Sequence, residues 1–168
     1  IRRHVYTGAF LLTALIVIEN QLVYRAYVKP GIEAFQEGMS TCLIPIAKWF
    51  KENSDPGARV LAPDIGALGF YSDRYILDAA GLVSPEFIPL IRQGNPPDSI
   101  IDKNLYAGIA KPDYVIGRSR DVVRPEARDS LVALFSRPFY GLTLSDPHLT
   151  YYTVYKVRHA ERPTASTP

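Results

Sequence analysis

The 168-residue chain carries one cysteine, one methionine, one tryptophan and three histidines. A single cysteine excludes an internal disulfide and any cysteine-rich metal site. Cys42 lies among Met39, Leu43 and Ile46 at helical spacing, which fits a small buried hydrophobe better than a nucleophile. His4, His148 and His159 fall at a helix start, a turn and the tail, and no pair of them has metal-ligand spacing. Ser72 precedes Asp73 without a Gly-x-Ser-x-Gly elbow, so a serine-hydrolase site is not expected. An excess of one charge is missing too. Nineteen Lys and Arg stand against seventeen Asp and Glu, and a net charge of +2 gives no electrostatic footprint for nucleic acid. Arg118, Arg120, Arg124 and Arg128 do cluster, but Asp121, Glu126 and Asp129 interleave with them, as on a solvated helix face. There is no internal repeat.

What is present is apolar and aromatic. The composition is 47% hydrophobic with 11 tyrosines, enough for one ordinary domain plus an appendage. The appendage is the N-terminus, "IRRHVYTGAFLLTALIVIENQLVYRAYV". The run through Val5, Phe10, Leu11, Leu12, Leu15, Ile16, Val17 and Ile18 is broken only by Thr7, Gly8 and Thr13. As a helix, residues 5–18 cover roughly 21 Å, and extension through Glu19, Asn20 and Gln21 to Val28 gives roughly 36 Å against a bilayer core of about 30 Å. Arg2, Arg3 and His4 favour a cytoplasmic N-terminus and a periplasmic or extracellular remainder. No small-x-small cleavage site follows, so an uncleaved, single-pass signal anchor is expected. A helix packed on the soluble domain is the competing reading. Ile1 is not an initiator methionine, which leaves sequence upstream an open question.

Lys29-Pro30-Gly31 is expected to break the anchor from the domain. Ile32, Phe35, Met39, Leu43, Ile46, Ala47 and Phe50 then recur at helical steps, with a kink expected at Pro45 and an end near Asn53. Trp49 and Phe50 are expected to fix this helix to the core or to the membrane surface. Residues 59–64, 74–81 and 113–118 suit strands; residues 84–94, 96–112 and 124–137 suit helices, with Ser84 as an N-cap. The last helix would put Leu131, Leu134 and Phe135 on its inner face. "FYGLTLS" and "TYYTVYKVR" alternate with period two around a turn and predict an antiparallel pair. The fold class is therefore α/β: a small open, mainly parallel sheet with helices on both faces, an antiparallel C-terminal strand pair and an N-terminal transmembrane helix. The divisions are an anchor helix over residues 1–30, an extracytoplasmic domain over 31–158 and a flexible, Pro-rich tail over 159–168.

Candidate site residues gather in and around "GALGFYSDRYILDAAGL". Gly66 and Gly69 lack the spacing of a dinucleotide loop, so they are read as backbone accommodation beside the sheet, within a strand–turn–strand element. Asp64 and Asp78 fall at strand C-termini, the edge where open α/β sheets bind ligands. They suit acid–base work or a cation, and they suit the capping of turns; capping is favoured because no His, Lys or third carboxylate joins them. Tyr114, Tyr140, Tyr151, Tyr152 and Tyr155 suit either strand packing or a sugar-binding surface.

The segment "IPIAKWFKENSDPGARVLAPDIGALGFYSDRYILDAAGLVSPE" resembles the extracytoplasmic C-terminal domain of bacterial polytopic glycosyltransferases of the GT-C type, relatives of protein mannosyltransferases that use lipid-phosphate sugars. Trp49, Asn53, Gly57, Asp64, Gly66, Gly69, Tyr71, Arg74, Asp78, Gly81 and Leu82 carry the resemblance, with "KPDYVIG" at residues 111–117. It implies a last transmembrane helix leading into this domain. It gives no active site; the candidate binding residues remain those of the sheet's ligand-facing edge, Asp64, Gly66, Gly69, Tyr71, Arg74, Asp78 and Gly81. In that family catalysis is placed in the multi-helix membrane portion, so no catalytic residue, metal or cofactor is carried over. Two functions are expected. One is a non-catalytic, membrane-anchored accessory or interaction subunit of a membrane protein complex. The other is the C-terminal part of a lipid-phosphate-sugar-dependent glycosyltransferase, guiding acceptor or donor, with the membrane, other membrane subunits and a lipid-linked sugar as partners.

Overall fold

Two prolines, Pro30 and Pro45, ought to interrupt the N-terminal half of the chain, yet helix runs without a break from Arg2 to Asn53. The computed structural model describes residues 2–121, 130–142 and 148–158. Helix α1 (Arg2–Val23) passes through a π turn (Tyr24–Val28) into α2 (Lys29–Gly38), and through a second π turn (Met39–Leu43) into α3 (Ile44–Asn53). Each π turn ends two residues before a proline. Lys29 N–H donates five residues back to Tyr24 O, and Ile44 N–H does the same to Met39 O. The wider turn lets the ring pass where an i−4 bond would clash. The carbonyl four residues before Pro45, that of Thr41, accepts instead from Arg137 Nη1 at 3.4 Å. Lys29-Pro30-Gly31 is therefore no breaker, and the expected boundary at residue 30 lies inside one helix. Ser54 ends it, turning to extended backbone while its hydroxyl donates to Phe50 O at 2.6 Å.

The sheet follows: β1 (Arg59–Ala62), α4 (Gly66–Tyr71), β2 (Tyr75–Asp78), a 3₁₀ turn (Pro85–Phe87) running into α5 (Ile88–Arg92), α6 (Pro97–Asp102), a second 3₁₀ turn (Leu105–Gly108), β3 (Tyr114–Ser119), β4 (Leu131–Tyr140) and β5 (Leu149–Val157). The strand order is β2-β1-β3-β5-β4. β1 pairs in parallel with both β2 and β3, and β5 runs antiparallel between β3 and β4. Four strands thus share one direction and β5 alone opposes them, the expected α/β architecture.

Both faces are covered. On one, Leu43, Ile46, Ala47 and Phe50 of the long helix, with Leu68 of α4, pack on Val60, Ile116 and Val154. Trp49 seals this layer edge-on against Phe50, Tyr114 and Phe135. On the other, Phe87, Ile100, Ile101 and Tyr106 pack on Leu61, Val115 and Tyr155. Each fully buried large side chain contributes about 1.5–3 kcal/mol, so α3 is held by its own apolar face. Cys42 is fully buried in the first layer, as its spacing implied.

Three sequence expectations need correction. Residues 66–71 form a helix, so the element around Gly66 and Gly69 is strand–helix–strand. Residues 131–137, expected as the end of a helix over 124–137, are strand β4; residues 124–129, with Arg124, Glu126, Arg128 and Asp129, lie outside the described residues. Pairing with β5 outweighs the helical preference of Leu and Ala there. The alternation of "FYGLTLS" marks only the end of β4, and residues 143–147 lie outside the described residues, as does the tail over 159–168. A bulge between Ala133 and Phe135 conceals β4's period. Leu131 and Ala133 face the second layer, whereas Phe135 and Phe139 face the first. As the outermost strand, β4 also tolerates Pro138.

Candidate functional site

After β1 the chain crosses to β2 with α4 on the first face; after β2 it passes over β1 to reach β3 with α5 and α6 on the second. The direction reverses at β1, so the gap between the C-terminal ends of β1 and β3 is a topological switch point, the usual ligand crevice of such sheets. Asp64 follows β1 and Arg118 lies near the end of β3, and the two meet there.

Arg118 Nη1 donates to Asp64 Oδ2 at 2.8 Å. Its other side grips Asp98 of α6 in a two-pronged contact, Nε to Oδ1 at 2.9 Å and Nη2 to Oδ2 at 2.7 Å. Tyr152, opposite Arg118 in the β3–β5 register, donates its hydroxyl to Asp64 Oδ2 at 2.6 Å. Side-chain exposure is 20% for Arg118, 33% for Asp64 and 38% for Asp98, so water screens the ion pairs only in part. Burial alone would weaken the Arg118 charge; the hydrogen bond to Asp98 and the fields of Asp64 and Asp98 outweigh it and hold the guanidinium protonated. Burial, reinforced by the Asp64 charge and hydrogen bond, pushes the Tyr152 hydroxyl well above the ordinary tyrosine range. The cluster ties β1, β3, β5 and α6 together at one edge. Asp64 is thus an ion-pair partner rather than the turn cap its sequence context favours.

Asp78 does cap. It is fully buried, and its carboxylate accepts from Ala80 N–H at 2.8 Å, Leu82 N–H at 2.6 Å and Val83 N–H at 3.1 Å. Gly81, at φ +75°, lets the loop turn back over Ile88 and Ile91. The Ser84 hydroxyl accepts from Asp78 N–H at 3.0 Å and makes no side-chain cap on the 3₁₀ turn, in contrast to its expected role.

The remaining candidates separate. Gly66 lines the edge, while Gly69 lies within α4; a Cβ on either would meet nothing within 4 Å, so neither is there for close backbone approach. Tyr71, at the end of α4, packs its ring against Phe70. Arg74, at the opposite end of the sheet, closes the C-terminus of α3, with Nε donating to Ser54 Oγ at 2.9 Å and Nη2 to Lys51 O at 2.9 Å and Ser54 O at 2.8 Å. It is a helix cap and stands apart from the switch point. Tyr114, Tyr152 and Tyr155 are core residues and offer no sugar-binding surface.

Two depressions flank the ion-pair cluster and share Leu142. One, of about 340 Å³, is lined by Asp98, Arg118, Ser119, Arg120 and Thr150. The other, of about 320 Å³, lies between the long helix and the edge, with Phe35, Met39, Leu43, Pro63, Ile65 and Leu82 in its wall and Asp64 and Asp78 behind. Among the described residues no three His, Cys, Asp or Glu come together as metal ligands. Both carboxylates at the switch point are engaged by Arg118, and Tyr152 donates to one of them, so the cluster braces this edge. Sequence reading missed Asp98, and it placed Arg118 and Tyr152 only among a basic run and a set of tyrosines.

At the N-terminus, the helix is long and apolar enough to cross a membrane, and its apolar stretch is unburied. Phe10, Leu11, Leu12, Leu15, Ile16, Val17 and Ile18 are all exposed.

Residues 31–162 match the family model described as Domain of unknown function (DUF8728), a span covering most of the chain, and the chain belongs to that family. Comparison with curated proteins and with solved structures gave no match.

Proposed function

We propose that this DUF8728 protein is a membrane-tethered α/β module that serves a membrane protein assembly as a non-catalytic interaction subunit, with its N-terminus cytoplasmic and its sheet domain outside. One observation carries the reading: a single helix is bare and apolar at its start and forms the domain's core at its end. A helix packed on a soluble domain would bury the apolar stretch, and this one does not. Arg2, Arg3 and His4 ahead of the run support the orientation. The closed Asp64–Arg118–Asp98–Tyr152 cluster supports a non-catalytic role, because each charged group already has its partner.

The apolar cleft beside Phe35 and Leu82 favours a second reading, in keeping with the GT-C resemblance: the domain guides a lipid-linked sugar or its acceptor toward a catalytic membrane portion. The mass of the intact native chain separates the two. About ten further apolar spans would sink the accessory-subunit reading, and a single span would sink the transferase reading. Deletion of residues 1–28 tests the tether. The truncated chain is expected to leave the membrane fraction as a folded domain; persistent membrane association would refute residues 5–18 as the anchor.

A further inference from the structure

Tyrosines bracket the N-terminal span. Tyr6 lies at its cytoplasmic end and Tyr24 and Tyr27 at its outer end, all exposed, as in the aromatic belts of membrane helices. Tyr6 to Tyr24 rises about 27 Å and Tyr6 to Tyr27 about 30 Å, matching a hydrocarbon core of about 30 Å. Glu19, Asn20 and Gln21 therefore lie inside the hydrocarbon, Glu19 about 8–11 Å and Gln21 about 5–8 Å below the outer belt. Helical side chains lean toward the N-terminus, here the cytoplasm, so all three aim away from the nearer interface. Asn20 Nδ2 donates to Ile16 O at 2.9 Å. Among the described residues, the Asn20 amide oxygen and the Glu19 carboxylate have no partner. Polar groups held in lipid in this way mark a helix that packs on another helix.

The spacing of the span points to which helix that is. Tyr6, Ala9, Thr13, Ile16, Asn20 and Val23 recur at alternating steps of three and four residues, the a and d positions of a heptad, and all are exposed. The seam ends where the π turn Tyr24–Val28 begins. Small Ala9 and Thr13 let a second backbone approach closely. Asn20 takes an a position, where in a parallel pair it faces its own copy across the two-fold axis. Each amide then donates to the other's oxygen. Glu19 takes a g position, which faces e of the next heptad on the partner helix. That position is Tyr24, whose hydroxyl is the donor the carboxylate lacks. The two Glu19 side chains stand on opposite flanks of such a pair, and Gln21, at b, lies off the seam and nearest the interface. We infer that the span pairs in parallel with a second copy of this chain along the Asn20 seam, closed by Glu19–Tyr24 contacts between the copies. A span of another protein would have to bring its own donor to Glu19. A second copy carries that donor already, and two copies inserted the same way are parallel. The inference rests on the tethered reading above and names its partner within the membrane.

The test uses the full chain in native membranes. Cys42 is buried, so Val23→Cys, at d, and Leu22→Cys, at c on the far side of the helix, are single accessible thiols at nearly one depth. Oxidation with copper phenanthroline should join Val23→Cys into a dimer about tenfold faster than Leu22→Cys. In proteoliposomes holding only the purified chain, energy transfer between labelled copies should report the same dimer. Asn20→Leu should raise its dissociation constant about 3- to 30-fold, the worth of an interhelical hydrogen bond. Tyr24→Phe, which keeps the ring, should weaken the dimer as well. Equal crosslinking at Leu22→Cys and Val23→Cys, or an unchanged dissociation constant in either variant, overturns the inference. Crosslinks to a different protein, with monomers in the liposomes, would assign the seam to that protein and overturn it too. Phe10→Cys reports on the tether by itself. Free labelling of Phe10→Cys by a membrane-impermeant maleimide defeats the tethered reading, whereas a shielded Phe10→Cys without a Val23→Cys dimer defeats only the pairing.

Discussion

Asp78→Asn removes almost no volume, so its effect isolates hydrogen bonding. The wild-type carboxylate accepts three backbone N–H groups from the loop it closes. An asparagine has one acceptor oxygen and an NH₂ that donates. If its oxygen takes the Oδ2 position it keeps Leu82 and Val83, and the NH₂ then faces Ala80 N–H, donor against donor. One buried donor left unsatisfied costs about 1–3 kcal/mol, and the two surviving bonds lose their charge assistance. The sum is a loss of about 2–4 kcal/mol. Trp49, the sole tryptophan, sits in the aromatic cluster of the first layer and reports global unfolding. Denaturant titration of the full chain in detergent, followed by Trp49 emission, gives the difference directly. A change below about 0.5 kcal/mol, the scale of ordinary surface substitutions, would refute the capping role.

Tyr152→Phe should cost about 1–2 kcal/mol at neutral pH, the worth of a hydrogen bond to a carboxylate. Because the Tyr152 hydroxyl is raised in the folded state, the unfolded chain loses that proton first. Wild-type stability should therefore fall as pH rises past the ordinary tyrosine value of about 10, and the variant's alkaline limb should be flatter; parallel limbs would contradict the assignment. Gly66→Ala and Gly69→Ala, in open helical positions, should each stabilise by about 0.5–1 kcal/mol. Gly81→Ala should cost about 1–2 kcal/mol, since φ is +75° and Ile88 and Ile91 stand 3.2 Å from the new Cβ. Equal losses in melting temperature at Gly66 and Gly81 would rule out a helix over 66–71.

The α/β class was legible because β1, β2 and β3 are short apolar runs separated by breakers, and Asp78 because aspartate before a glycine turn is a common loop cap. Two features escaped for definite reasons. A π turn leaves no mark in composition, so Pro30 and Pro45 look like ends when they are only local widenings. The bulge in β4 shifts the strand's parity: odd-numbered Leu131 and Ala133 face one layer before it, and odd-numbered Phe135 and Phe139 face the other after it. That erases the alternation that marks a strand. The ion-pair cluster was illegible for a third reason. Asp64 and Arg118 are 54 positions apart, and Asp98 and Tyr152 join them only through the 2-1-3-5-4 strand order. Arg118 was visible only as one member of a basic run. Its place at the end of "DYVIGR" becomes informative only once β3 is paired with β1, because that pairing sets the end of one strand beside the end of the other.

The two faces of this edge are used differently, and that difference bears on function. The polar groups of its cluster are engaged internally: Arg118 bonds two carboxylates, Tyr152 donates to one of them, and Asp78 accepts from its own loop. A site meant to bind a polar substrate would keep a donor or acceptor in reserve, since specificity for a hydroxyl or an amine comes from groups that are left unpaired without it. Its apolar groups are the reverse, with Leu82 and Phe35 exposed in the cleft's wall and Val83 exposed beside Leu82. The same helix that carries Phe35 also carries the bare apolar stretch, without a hinge between them, because each proline is absorbed by a π turn and Gly38 and Gly141 let β4 and its end pack directly on α2. A rigid link of this kind would impede an enzyme that must close over substrate, which favours the tethered, non-catalytic role proposed above over the guiding of a substrate into a closing site.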